Sequence, residues 1–269
     1  MSNFSKTSLA VVAAVILSSI PTMPVKAGDL KDAREIVNRT NLAQYYAGND
    51  GRALVRMKIV DGNGRSQRRQ FAVLRRDKKD GGDQSYLVVF DQPADVRNTT
   101  FLVKKHAHKD DDRWLYLPGL DLVKRIAASD ERTSFVGTHF FYEDISGRQP
   151  DEDKHQLLET TDTEYVVKST PKNPSGVEFA YYTLRINKKT FLPSKIEYVN
   201  AQGKVYRRIE TAKVETIQRH PTITRLKVSD LASGGYTLSD VSHVQYDLGI
   251  PDSIFVEASL RNPPQKWLR

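Results

Sequence analysis

The chain has 269 residues, no cysteine, and 41 Lys and Arg against 33 Asp and Glu, a formal net charge of +8. That length admits one large domain or two small ones and can bury a core without covalent staples. The missing cysteines exclude disulfides, metal thiolates and thiol nucleophiles together, and a moderately basic balance suits an anionic surface or ligand without specifying one.

Lys6, the uncharged apolar run LAVVAAVILSSI (Leu9 to Ile20) and the segment ending Val25-Lys26-Ala27 follow the three-part layout of a secretory signal peptide. The reading is a leader over residues 1–27, cleaved before Gly28, and one domain over residues 28–269, exported to the periplasm. The apolar run is shorter than the roughly 20 residues a bilayer span needs. Loss of Lys6 and Lys26 with the leader lowers the net charge from +8 to +6.

From Asp29, DLKDAREIVNRTNLAQYYAGNDG predicts a helix, with Leu30, Ala33, Val37 and Ala43 or Gln44 on one stripe and glycines at its end. The period then switches to two. ALVRMKIV, a turn at Asp61-Gly62-Asn63-Gly64, and RQFAVLRR predict a hairpin. SYLVVFD, TFLVKKH, RWLYLPG and LVKRIA continue as strands, and SFVGTHFFYEDI reads as a loop and short helix against the sheet. Beyond an acidic loop at Pro150 to Lys154, EYVVKST, EFAYYTLRIN, SKIEYVN, KVYRRIETAKVETI and TRLKVSDL are further strands, and RNPPQKW is a tail. Short strands joined by short turns predict a curved antiparallel sheet or barrel.

No phosphate-binding glycine loop, HExxH or calcium-loop spacing occurs, and no cofactor is expected. His106 and His108 could share one face of a strand as metal ligands, but KKHAHKDDD reads as a solvated hairpin tip. His139, Glu143 and Asp144 lie close together without a nucleophile elbow, so a hydrolase built on His139 and Glu143 is the weakest reading. Arg207, Arg208, Arg56, Arg65, Arg68 and Arg69 are scattered over strands, which reads as a solvated outer face and not a nucleic-acid stripe. Candidates for the inner face of the sheet are Val55, Met57, Ile59, Phe71, Val73, Leu87, Val89, Leu102, Leu115, Leu117, Tyr182 and Leu184. They line an apolar cavity or fill a dry core, and spacing alone does not choose.

The pieces VVFDQPADVRNTTFLVK, DDRWLYLPGLDLVKRI and SFVGTHFFYEDI, in that order, resemble the LolA-like outer-membrane lipoprotein-sorting family. The N-terminal helix, the early hairpin and KIEYVNAQGKVYRRIE fit the same plan, so the resemblance spans most of residues 28–269. Two positions depart from the pattern. Asn98 stands where the family usually has Gly, and Gly137-Thr138-His139-Phe140 replaces Gly-Ser-Asp-Phe, which puts any role of that Asp in doubt. The resemblance implies a mainly β fold with helices: a strongly curved antiparallel sheet forming a half-open β-barrel, its mouth closed by helices. It implies carriage of lipid or lipoprotein acyl chains between inner and outer membrane, with the twelve inner-face residues lining the cavity. Implied partners are an inner-membrane RND-type exporter and an outer-membrane acceptor. The segment from Phe135 to Ile145, with Phe140 and Phe141, would be a lid, held by pairing of Glu143 and Asp144 with Lys124 and Arg125. The rival is a non-catalytic periplasmic accessory or sensor that binds a membrane protein instead of lipid.

Overall fold

The computed structural model describes Met1 and residues 28–268, so the leader and its cleavage point lie outside the described residues, Met1 and Gly28 excepted. Helix α1 (Ala33–Tyr45) begins where the Asp32 carboxylate accepts from the Arg34 amide at 2.9 Å, three residues later than the sequence pattern allows at its earliest, and buries Ala33, Ile36, Val37 and Thr40. Strands follow in the first half at β1 (Asp50–Val60), β2 (Ser66–Asp77), β3 (Gln84–Gln92), β4 (Thr100–Lys105), β5 (Asp112–Leu117) and β6 (Leu122–Ile126). After α2 (Tyr142–Ser146) come β7 (Asp153–Thr160), β8 (Glu164–Pro171), β9 (Tyr181–Asn187), β10 (Pro193–Val199), β11 (Val205–Ile217), β12 (His220–Asp230) and β13 (Tyr236–Tyr246). A short α3 (Ala258–Arg261) lies in the tail.

Among the described residues the thirteen strands form one antiparallel sheet, in the order β6-β5-β4-β3-β2-β1-β13-β12-β11-β10-β9-β8-β7. Every neighbouring pair is consecutive in the chain except β1 with β13, where Val55 faces Val241 and Ile59 faces Thr237. That pairing joins the two halves, and β6 and β7 are left as the free edges of a half-open barrel. The expected fold class is the one found. Among the described residues no helix is long and apolar enough to cross a membrane.

Two strands were absent from the sequence reading. β7 takes in the end of the expected acidic loop; it is a mostly exposed edge with only Asp153 buried. In β13 the alternation is inverted, because the buried positions are the hydroxyls Thr237 and Ser239, while Tyr236 and Leu238 are half-buried on the other face.

The sheet is covered on both faces. Inside, Val55, Met57, Phe71, Tyr86, Val88, Phe90, Phe101, Val103 and Leu115 pack with Phe135, Phe140 and Tyr142. Outside, the chain after β13 crosses back over β2–β5. There Ile250, Phe255 and Leu260 bury Leu74, Leu87, Val89 and Leu102. The tail is fixed by Asp50, whose carboxylate accepts from the amides of Leu248, Gly249 and Ile250 at 2.8–3.1 Å.

Candidate functional site

Leu87, Val89 and Leu102 were expected on the inner face and lie on the outer one, beneath the tail. The cause is that β3 is buried on both faces from Gln84 to Phe90, so its continuous apolar run carries no parity signal. The inner-face positions of these strands are Tyr86, Val88, Phe90, Phe101 and Val103.

Inside, the barrel has two compartments. The first holds Val55, Met57, Phe71 and Leu115, with Val73 and Leu117 packed at its margin, and it is filled. The fully buried Phe135 ring enters it from the loop after β6, with ring centroids 6.1 Å from Phe71, 5.7 Å from Phe90, 5.4 Å from Phe101 and 5.6 Å from Tyr142. Phe140 packs beside it. This segment is therefore a plug and not only a cover. Ile59 is buried in β1 but belongs to no apolar cluster.

The second compartment lies between α1 and β9–β12 and contains a cavity of about 140 Å³. One wall is the helix face Val37, Thr40, Asn41 and Gln44; the other is Tyr182, Leu184, Ile196, Tyr198, Ile209 and Leu226. Of the expected cavity residues only Tyr182 and Leu184 stand here, joined by Phe140, Glu143 and Asp144 from the expected lid. Ile196, Ile209 and Leu226 were missed, although Arg207, Ile209 and Thr211 share one strand face by the period of two.

A belt of charge separates the compartments. The expected pairing of Glu143 and Asp144 with Lys124 and Arg125 does not occur. Glu143 is bound by Arg132 and, at 3.0 Å, by Arg148, while Asp144 is bound by Arg207. Arg125 pairs with Asp112, and Lys124 is exposed on the edge strand β6. Arg207, expected on a solvated face, is 3% exposed. Its guanidinium lies 4.1 Å from the Phe141 ring centroid, with Arg132 at 5.1 Å from the same ring. Phe141 is thus stacked against guanidinium groups and half-buried. Arg208 alternates outward and pairs with Glu197.

Lys105 and Gly147 complete the seat of α2. The Lys105 ammonium donates to the carbonyls of Ser146 and Gly147 at 2.5 and 2.7 Å, where a helix C-terminus attracts positive charge. Burial pushes the Lys105 amine down to about 8, against nearby carboxylates led by Asp111. Gly147 is left-handed, and a Cβ there would meet the Tyr45 ring of α1 at 2.5 Å, so α1 and α2 touch through a position only glycine fits.

His139, at one departure from the family pattern, fastens the plug to β13. Its amide donates to Thr237 Oγ1 at 3.0 Å, and its Nδ1 lies 2.9 Å from the same oxygen. Gly235 makes room for the ring, since a Cβ would come within 2.5 Å of Nε2. His139 and Glu143 are thus engaged with separate partners and do not face one another across a nucleophile. His106 lies at the β4–β5 hairpin tip, with Nε2 3.0 Å from Asp112.

Glu131, Glu143 and Glu152 bring carboxylate oxygens within 4.8 Å of one another, a spacing a cation could use. Each already faces an arginine: Arg113 for Glu131, Arg132 and Arg148 for Glu143, Arg148 for Glu152. Burial pushes the Glu131 carboxyl up to about 7, helped by the neighbouring charge of Glu143.

A family model described as "Uncharacterized protein" matches residues 82–262. No curated protein matches the chain. Among crystal structures, a DUF1329 family protein from Desulfovibrio piger is 29% identical, with a TM-score of 0.77 over 85% of this chain and 97% of its own. A domain described as an outer membrane lipoprotein-sorting protein, from Vibrio parahaemolyticus, is 23% identical, with a TM-score of 0.78 over 85% and 98%. A LolA superfamily protein from Nitrosomonas europaea is 21% identical, with a TM-score of 0.65 over 84% and 98%.

Proposed function

We propose a carrier function from one premise: this chain belongs to the family whose model spans residues 82–262, a family of LolA-like fold. The protein binds an acyl chain of a lipid or lipoprotein in the second compartment, in the periplasm, and passes it from inner to outer membrane. An RND-type exporter is the donor in this reading, and an outer-membrane protein the acceptor. Residues 1–27 direct export. No catalytic step is required.

The observation that carries this reading is the cavity between α1 and the aliphatic wall Leu184, Ile196, Ile209 and Leu226. Each buried CH₂ contributes about 0.8 kcal/mol, so a long chain is held without a covalent bond. Sites for drug-sized ligands measure about 300–1,000 Å³, and this cavity is smaller, about 140 Å³. Loading therefore requires α1 to lift from the sheet. That movement is local, because α1 meets the sheet along one face only. The rival accessory-protein reading draws on the first compartment, which Phe135 fills.

Native mass spectrometry of residues 28–269, purified from periplasm without detergent, tests the reading. A co-purifying long-chain lipid is the expected result. Ile209→Glu charges the cavity wall and should reduce retention of a fluorescent fatty acyl probe at least tenfold with the fold intact by circular dichroism. A lipid-free mass together with no probe uptake by the wild type would favour the accessory protein.

A further inference from the structure

The outer face of the sheet is not uniform. Over β2–β5 it is sealed by the tail. On the second half two ion pairs form: Arg185 with Glu164 at 3.4 Å and Arg208 with Glu197 at 2.7 Å. Between these regions lies the outer face of β2, β1, β13 and β12, where outward cations outnumber carboxylates.

Arg56 and Lys58 alternate with the buried Val55, Met57 and Ile59, so both point outward. The register sets Lys58 beside Arg68 on one side and Leu238 on the other, and Leu238 beside Lys227. The next row runs Gln70, Arg56, Asp240 and Arg225. From β2 to β12 Asp240 is the one carboxylate in these two rows, and Arg225 takes it at 2.5 Å; on β11, Glu210 stands in register with Lys227 without an ion pair. Among the described residues no carboxylate lies within 4 Å of the cationic groups of Arg56, Lys58, Arg68 or Lys227; Arg56 donates to Gln70, and Lys227 lies over the Tyr236 ring. Neighbouring strands are about 4.8 Å apart, so these like charges repel one another in the free protein. An open depression runs between Arg56, Lys58, Arg68, Pro93 and Leu238.

We propose that this face docks on the anionic headgroups of a phospholipid bilayer. A row of unpaired cations spread over several strands and flanking one half-buried leucine matches a continuous negative surface. The tail leaves this region uncovered while sealing its neighbour. Docking here would leave the plug and the α1 cavity, on the opposite side of the sheet, facing away from the bilayer and free for exchange with a protein partner. The inference stands on surface charge and does not depend on what the cavity carries.

Sedimentation with vesicles tests it, using the chain from Gly28 onward. The wild type should bind phosphatidylethanolamine–phosphatidylglycerol vesicles at low salt, ignore phosphatidylcholine vesicles, and dissociate as salt rises. Each basic residue near such a surface contributes about fivefold in affinity, so Lys58→Ser, Arg68→Ser and Lys227→Ser combined should weaken binding roughly a hundredfold. Arg185→Ser with Arg208→Ser, on the paired region, should change it less than about threefold. If the triple variant does not fold, the three single variants should each lose about fivefold. Ile209→Glu should bind vesicles as the wild type does, which separates docking from carriage. Absence of binding to anionic vesicles, equal binding to neutral ones, or binding unchanged in the serine variants overturns the proposal.

Discussion

The Glu131 carboxyl is the residue on which pH should act most directly. It sits beside Arg113 at 2.7 Å, yet burial, with the charge of Glu143, raises it to about 7. A carboxyl raised above its unfolded value binds a proton more readily in the folded chain, so its stabilising share is complete below about pH 4.5 and is lost as pH rises through 7. Glu131→Gln should therefore raise the urea midpoint at pH 8 and make no difference, or a small loss, near pH 4.5. Measuring unfolding at both values checks the sign; a lower midpoint for the variant at pH 8 would mean that the Arg113 pair outweighs burial. Where burial has not raised the carboxyl in this way, removing one partner of a buried pair costs about 3–5 kcal/mol. That is why the exchange of Arg132, Arg148 and Arg207 among Glu143, Asp144 and Asp153 matters more to α2 than any surface pair. Neither these partners nor the His139–Thr237 contact could be assigned from the sequence, because they join segments up to 98 residues apart.

At the level of elements, the tail after β13 is a working part of the barrel. RNPPQKW reads as a polar, proline-rich end, yet Trp267 and Leu268 pack with Phe255 and Leu260 over the outer face. Asp50 holds this strap by accepting three backbone amides, of which Ile250 is fully buried. Asp50→Ala leaves those amides without a partner and should destabilise the chain by about 2 kcal/mol or more. It should also open the tail to limited proteolysis after residue 247, with binding of a hydrophobic dye to the uncovered Leu87, Val89 and Leu102. An unchanged digestion pattern would mean that apolar packing alone retains the strap. The same strap explains the parity error at β3 and β4: a strand covered on both faces has no polar side by which to read its register.

At the scale of the whole molecule, a meander of hairpins is closed by one long-range pairing, β1 with β13. Local pairs form a sheet of any curvature; this pair sets the barrel and brings His139 to Thr237. Protection should follow coverage. Amides of β3 and β4, sealed inside by the Phe135 cluster and outside by the tail, should exchange slowest. The free edge β7 and the exposed end of β11 from Ala212 to Thr216 should exchange at least about a hundredfold faster. Hydrogen exchange read by mass spectrometry would show this, and uniform protection across the sheet would contradict it.

The period of two, the turn residues and the order of hydrophobic runs by themselves determined that the chain is a curved antiparallel sheet with an N-terminal helix. Each of those signals acts between neighbours in sequence. The sequence also set SFVGTHFFYEDI apart as a loop and short helix against the sheet, since it breaks the alternation, but not that its Phe135 fills the barrel. It could not choose between cavity and dry core, because both need apolar inward positions. The tertiary structure decided that question one compartment at a time. Phe135 fills the half lined by Val55, Met57 and Phe71, whereas α1 faces Tyr182, Leu184 and Ile209 with the smaller, polar Thr40 and Asn41 and leaves space. Which carboxylate meets which arginine, and which half stays open, depends on distance in space between segments far apart in the chain.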